Sequence, residues 1–157
     1  VELVYSQAAQ LLWNGRIETT VERAKEVRKV AEKMITLAIN SYQDTVKVTK
    51  TKLNQKNEKI EVEFTNDGPT KLNARRRLMA MLPDLQEQKI AKESKETFRE
   101  RTADINHPLI EKIFGEYAPK YDKRAEEKGQ KGGYTRIIKT GNRRGDDAST
   151  CILELVD

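Results

Sequence analysis

The 157-residue chain holds one histidine, His107, and one cysteine, Cys151. Within a single chain that rules out a disulfide framework and a Cys/His zinc site. His107 stands directly before Pro108, a position that suits a helix start or a surface role. Cys151 lies inside an apolar, strand-like run, where a thiol is buried and inert rather than nucleophilic. Asp146 and Asp147 follow Arg143 and Arg144, so ion pairing or loop capping accounts for them without a metal. Gly132, Gly133 and Gly141 lack the spacing and the lysine of a phosphate-cradling loop. Nothing assembles nucleophile, base and oxyanion donor. The chain reads as a non-enzyme, with no metal, no cofactor and no small-molecule substrate.

What remains is cationic chemistry. Arg16 forms one cluster with Lys25, Arg28 and Lys29. Arg75, Arg76 and Arg77 form a second on a short helix. At 100° per residue these three span about 200° of a helix, so they do not all face one partner and at least one projects outward. The competing reading, a solvated face paired with glutamates, is weakened because the nearest acids are Asp67 and Asp84. The third cluster is a hairpin-like segment with Arg136, Lys139, Arg143 and Arg144. Alternation puts Tyr134, Arg136 and Ile138 on one face and Thr135, Ile137 and Lys139 on the other. Gly141 and Gly145 let the connecting loop approach another surface closely. Guanidinium groups at its tip suit bidentate grips on phosphate. Tyr134 either stacks on a base or packs in the core. A charged tip alone also fits a soluble turn; three basic clusters on one small chain favour a polyanion.

The bulk numbers agree. Net charge is +5, with 36% apolar and 35% charged residues, which allows one modest core and a largely partner- or solvent-facing remainder. The length suits one domain, 1–157. Charge is uneven: residues 1–14 carry only Glu2, whereas 120–144 carry nine Lys or Arg against three acids. No apolar run approaches the roughly 18 residues that span a membrane, and no secretory signal is visible. A lone thiol is compatible with a reducing cytosol. The sequence opens at Val1 instead of Met, so a missing N-terminal piece is an open expectation.

Elements must position these residues. Val4, Ala8, Leu11 and Leu12 have helical spacing, and Asn14-Gly15 is a helix stop. Arg16 to Thr19 is strand-like. Thr19 and Glu22 have capping-box spacing, and Ala24, Val27, Ala31, Met34 and Ala38 predict an amphipathic helix over about 20–39. Residues 45–53 and 59–65 alternate at period two, predicting a charged β-hairpin. A helix follows over about 70–82, stopped by Pro83. Residues 84–104 read as a solvated helix or a disordered loop. Pro108 starts a helix that buries Leu109, Ile110, Ile113, Phe114 and Tyr117 and that Pro119 closes. Residues 120–131 read as a charged, flexible linker. Two strands follow, at 134–140 and about 150–156.

The runs NGRIETT (14–20), AKEVRKVAEKMITLA (24–38), EKIFGEYAPKY (111–121), GGYTRIIKTGNRRGD (132–146) and ILELV (152–156) resemble the bacterial large-subunit ribosomal proteins of the L-seventeen family, in that family's order. NARRR (73–77) resembles its His-Ala-Arg-Arg element, with Asn73 in place of the histidine. The resemblance implies an α+β (mixed α/β) fold: a small mixed three-stranded sheet packed with three to four helices. It implies binding to large-subunit ribosomal RNA beside neighbouring large-subunit ribosomal proteins in the cytoplasmic ribosome, with no membrane. Arg16, Arg75, Arg76, Arg136, Lys139, Arg143 and Arg144 fall on its basic motifs. The near-uncharged stretch from Val1 to Trp13 departs from the family's basic opening and puts N-terminal RNA contacts in doubt. The β-hairpin (43–69) and the charged segment (84–105) look like insertions.

Two other classes compete. One is a free basic protein-interaction module with incidental RNA affinity. The other is a nuclease, which needs Asp146 and Asp147 on a divalent ion. The nuclease reading predicts metal-dependent RNA cleavage that Asp146→Asn/Asp147→Asn abolishes; the expected outcome, followed on a gel, is that the unaltered chain cleaves nothing.

Overall fold

The structure is a computed structural model that describes residues 1–157. Helix α1 (Glu2–Asn14) ends where Gly15 turns left-handed at φ 81°, as its missing Cβ permits. Strand β1 (Arg16–Thr20) leads straight into α2 (Val21–Ile39). The hairpin β2 (Thr45–Leu53) and β3 (Lys59–Asp67) follows, then α3 (Pro69–Met81) and the exposed α4 (Lys95–Thr102). Three segments then form a continuous rod: α5 (Pro108–Lys112), a π-helical turn (Ile113–Tyr117) and α6 (Ala118–Lys128). Strands β4 (Thr135–Asn142) and β5 (Ser149–Leu155) close the chain.

The fold is α+β, as expected, but the three-stranded sheet is antiparallel throughout, not mixed. Its order is β1-β5-β4, with β5 antiparallel to both neighbours. The short loop between β4 and β5 allows only antiparallel pairing, and β1 takes the other edge of β5 in the opposite direction. Cys151, Leu153 and Leu155 point from β5 towards the helices, while Ile152 and Glu154 point away.

α2 serves two apolar clusters. Val21, Ala24, Val27 and Ala31 pack with Ala8, Leu11, Cys151 and Leu153. Met34, Ile35 and Ala38 pack with α1, α3 and the rod. The capping box does not form: Thr19 belongs to β1, and Thr20 occupies the cap without a side-chain hydrogen bond. Strand pairing of Thr19 with Cys151 takes precedence over the cap. Asp44 caps α3 instead, accepting from the Thr70 amide at 2.8 Å. A Cβ at Gly68 would displace the Asp44 carboxylate from this cap.

Residues 120–131 are not a linker. Helix α6 continues to Lys128, and Gly129 ends it in the left-handed region. Pro119 does not close the helix, because the π turn just before it displaces the preceding carbonyls that an α-helical proline would strike. Tyr121 is fully buried, with its hydroxyl donating to the Val156 carbonyl at 2.7 Å. Arg124 is buried too, its guanidinium 5.0 and 5.2 Å from the rings of Tyr121 and Tyr134 and donating to the Gly132 carbonyl. Burial pushes the Tyr121 hydroxyl up to about 12, the largest influence on it. The rod also closes α1: the Tyr117 hydroxyl donates to the Leu12 carbonyl at 2.5 Å and the Lys112 ammonium to that of Trp13 at 2.7 Å. Those are carbonyls the helix end leaves unpaired. Tyr121→Ala is expected to cost about 3–5 kcal/mol in urea unfolding; a loss of a few tenths would mark a surface position instead.

Candidate nucleic-acid interface

The β1-β5-β4 sheet gives its cations a fixed spacing. Arg16 and Arg136 both register with Glu154, one from each side. The Arg136 guanidinium bonds that carboxylate, its Nε at 2.9 Å. Helices α1 and α2 cover the opposite face of the sheet, so Arg16, Arg136 and Ile138 stand on an open one. Tyr134 does not join them. It precedes β4, after Gly133 at φ 59°, and its ring packs 4.7 Å from that of Tyr121. It is a core residue and not a platform for a base.

The loop beyond β4 carries Arg143 and Arg144, both exposed. Asp146 accepts from Arg143 at 2.9 and 2.5 Å and from the Ala148 amide at 3.3 Å. The Arg143 hydrogen bond, foremost, holds the Asp146 carboxyl well below the usual carboxylate range. Ion pairing thus accounts for Asp146, and no group of three His, Cys, Asp or Glu side chains is placed to hold a metal. Burial raises the Cys151 thiol, and His107 sits at the start of α5 with Nδ1 3.4 Å from Asp84. Neither has a catalytic neighbour.

Arg143 shares a polar recess of about 420 Å³ with Arg23, the carboxylate Glu18, Gln7 and the hydroxyl-bearing Thr19, Thr20, Thr140 and Thr150. Arg23 belongs to none of the three clusters read from the sequence. No periodicity links residue 23 to residue 143; only the packing of the first turn of α2 beside the β4–β5 loop does. Further along α2, Lys25 and Arg28 line a groove with Lys29 and Ile137. Lys139 follows on the same face of β4. Lys25 is paired with Glu22 at 3.0 Å and Arg28 with Glu32 at 3.4 Å, surface pairs worth little to stability. Glu32 also accepts from Thr135 at 2.8 Å, tying α2 to β4.

The cluster on α3 splits. Arg75 lies mostly buried between Asp67 and Glu111, with Nε 2.5 Å from Asp67 and its guanidinium 5.2 Å from the Phe114 ring. Asp67 is thus the partner that sequence separation seemed to disfavour; the β3–α3 turn brings it back onto the helix. Arg76 and Arg77 are exposed and unpaired, as are Arg16, Lys139 and Arg144. Arg77 lines a mostly apolar recess with Tyr5, Val30, Met34 and Met81, apart from the one that holds Arg143.

A family model described as "Ribosomal protein L17" matches residues 3–156. The chain belongs to that family. It is 38% identical to the large ribosomal subunit protein bL17 of Lachnospira eligens, over 98% of this chain and 91% of the relative. It is 34% identical to the bL17 of Acetivibrio thermocellus, over 96% and 89%, and 39% identical to that of Ruminiclostridium cellulolyticum, over 93% and 86%. The family is one of structural ribosomal proteins, not enzymes. No helix is long and apolar enough to cross a membrane.

Within this family member, Arg75 holds the β3–α3 turn onto the rod. Burial acts to raise the Asp67 carboxyl, but the Arg75 hydrogen bond and the charges of Arg75 and Lys71 outweigh it, so its pKa is lowered. The unfolded chain therefore takes up the proton more readily. The stabilisation is present above about pH 3.9, the unfolded value, and is lost as pH falls through the lower folded one. Asp67→Asn is expected to cost about 1.5–3 kcal/mol at pH 7 and to flatten the acid limb of stability against pH, both read by urea unfolding.

Proposed function

We propose that the chain is a structural constituent of the large ribosomal subunit in the cytoplasm. In this reading it binds and stabilises folded large-subunit rRNA through Lys/Arg–phosphate contacts, beside neighbouring large-subunit ribosomal proteins. Residues 1–157 act as one ribosomal-protein domain, with 43–69 and 84–105 as insertions. The observation that carries it is a set of exposed arginines, Arg16 and Arg136 on a sheet whose outer face no helix covers and Arg143 and Arg144 on the loop that joins its β4 and β5. The printed names of the relatives, large ribosomal subunit protein, support it from the other side.

The chemistry is charge neutralisation. Each guanidinium that meets a phosphate releases condensed counterions. Backbone contacts of this kind recognise the shape of folded RNA rather than its base edges. Arg143 is pre-oriented by Asp146, which also cancels part of its charge. Arg144 keeps its whole charge for a partner.

The chain is expected to co-sediment with large subunits in low salt; its absence from that fraction would favour a free protein-interaction module. In filter binding to large-subunit rRNA, Arg144→Ala should lower the slope of log K against log salt by about 0.7–0.9. Arg143→Ala should lower it by less. Unchanged affinity and slope in both variants would remove the β4–β5 loop from the interface.

A further inference from the structure

The β2–β3 hairpin is unfinished as a piece of protein. A two-stranded ribbon is marginal in water by itself. This one has no third strand, and each of its residues is exposed or half-buried. Leu53 and Ile60 are among the large apolar side chains left open to solvent.

Its pairing register sorts charge by face. Val48 stands opposite Phe64, Lys50 opposite Val62 and Lys52 opposite Ile60. These side chains share one face, and no strand residue on it is a carboxylate; Glu58 is the nearest acid on that side, in the turn. Thr49 stands opposite Glu63 and Thr51 opposite Glu61, which puts both glutamates on the other face. The Lys52 and Lys50 ammonium groups lie 4.4 and 5.6 Å from the Phe64 ring centroid. The ring holds the lysine stems down, so this face presents cations over an apolar floor rather than bare hydrocarbon.

We infer that the Lys50/Lys52 face of the hairpin is a second RNA-contacting arm, laid along the phosphate backbone of folded RNA. This rests on the rRNA-binding reading but uses none of its residues. The charge complement is an anion, because the strand residues of this face include two lysines and no acid. RNA is favoured over an acidic protein by shape: a twisted ribbon of nine-residue strands, about 30 Å long, matches the wide, shallow minor groove of A-form RNA.

The test is salt-titrated binding of the full chain to large-subunit rRNA. Lys50→Gln/Lys52→Gln is compared with Lys47→Gln/Lys59→Gln, which removes the same charge from the opposite face. All four side chains are exposed, and circular dichroism checks that both variants keep the fold. The expected result is a slope lowered by about 1.4–1.8 for the first variant, two phosphates at 0.7–0.9 each, and a near-unaltered slope for the second. Equal effects of the two variants overturn the proposal, as does no effect of either. If Lys50→Gln/Lys52→Gln binds RNA normally but fails to enter large subunits, the face docks on protein and the RNA proposal is overturned. In these three cases Arg144→Ala still weakens binding and the rRNA reading stands. If the unaltered chain does not bind rRNA, that reading fails and takes this one with it.

Discussion

Ala24, Ala31 and Ala38 recur at seven-residue intervals along α2, and each is fully buried. Small side chains there let α2 approach α1 and the sheet at its N-terminal end and α3 and the rod at its C-terminal end. Between them Val27, Met34 and Ile35 fill the space with bulk. One helix therefore contributes to both apolar clusters. The 36% apolar content leaves little material for a second solution. Burying this stripe fixes the plane of the sheet and so the direction in which Arg16 and Arg136 project.

The rod 108–128 does the remaining positioning. Its π turn makes room for Pro119, so one continuous helix reaches from Pro108 to Lys128. Tyr117 and Lys112 close the end of α1, and Tyr121 holds the backbone of the C-terminal strand's tail. Arg124 lies between two tyrosine rings without an acid partner. Ring quadrupoles and the Gly132 carbonyl replace part of the water it gave up, and its Nε stays buried without a hydrogen-bond partner. A buried guanidinium thus anchors the entry to β4 while the exposed ones face outward. Two residues of the same type have opposite roles, set by what surrounds them.

Much of the fold was legible in the residues. The 3-4 spacing of α2, the Asn14-Gly15 stop, the period-two runs of the hairpin and the Pro108 helix start all correspond to local physics, and local physics is written in neighbouring side chains. The misses have two causes. Thr19 has the spacing of a cap but pairs with Cys151 across the sheet. Pro119 has the chemistry of a stop but follows a π turn. Residues 120–131 have the charge of a linker, yet Tyr121 and Arg124 are core because the rod lies against β4 and β5. For Thr19 and for residues 120–131 a distant contact outweighs a local preference of about a kilocalorie per mole; for Pro119 the adjoining π turn removes the clash.

For the interface, the sequence by itself determined the inventory: which cations exist, that no catalytic set accompanies them, and, through motifs spread over the chain, the family. Tertiary structure alone decided which of those cations are free. Arg75 is taken up by Asp67 and Glu111, Arg143 is shared with Asp146, and Arg16, Arg76, Arg77, Lys139 and Arg144 stay unpaired. It also brought Arg23 beside Arg143. The physical reason is that residue type fixes charge, whereas pairing depends on distances of a few ångströms between side chains that only folding brings together.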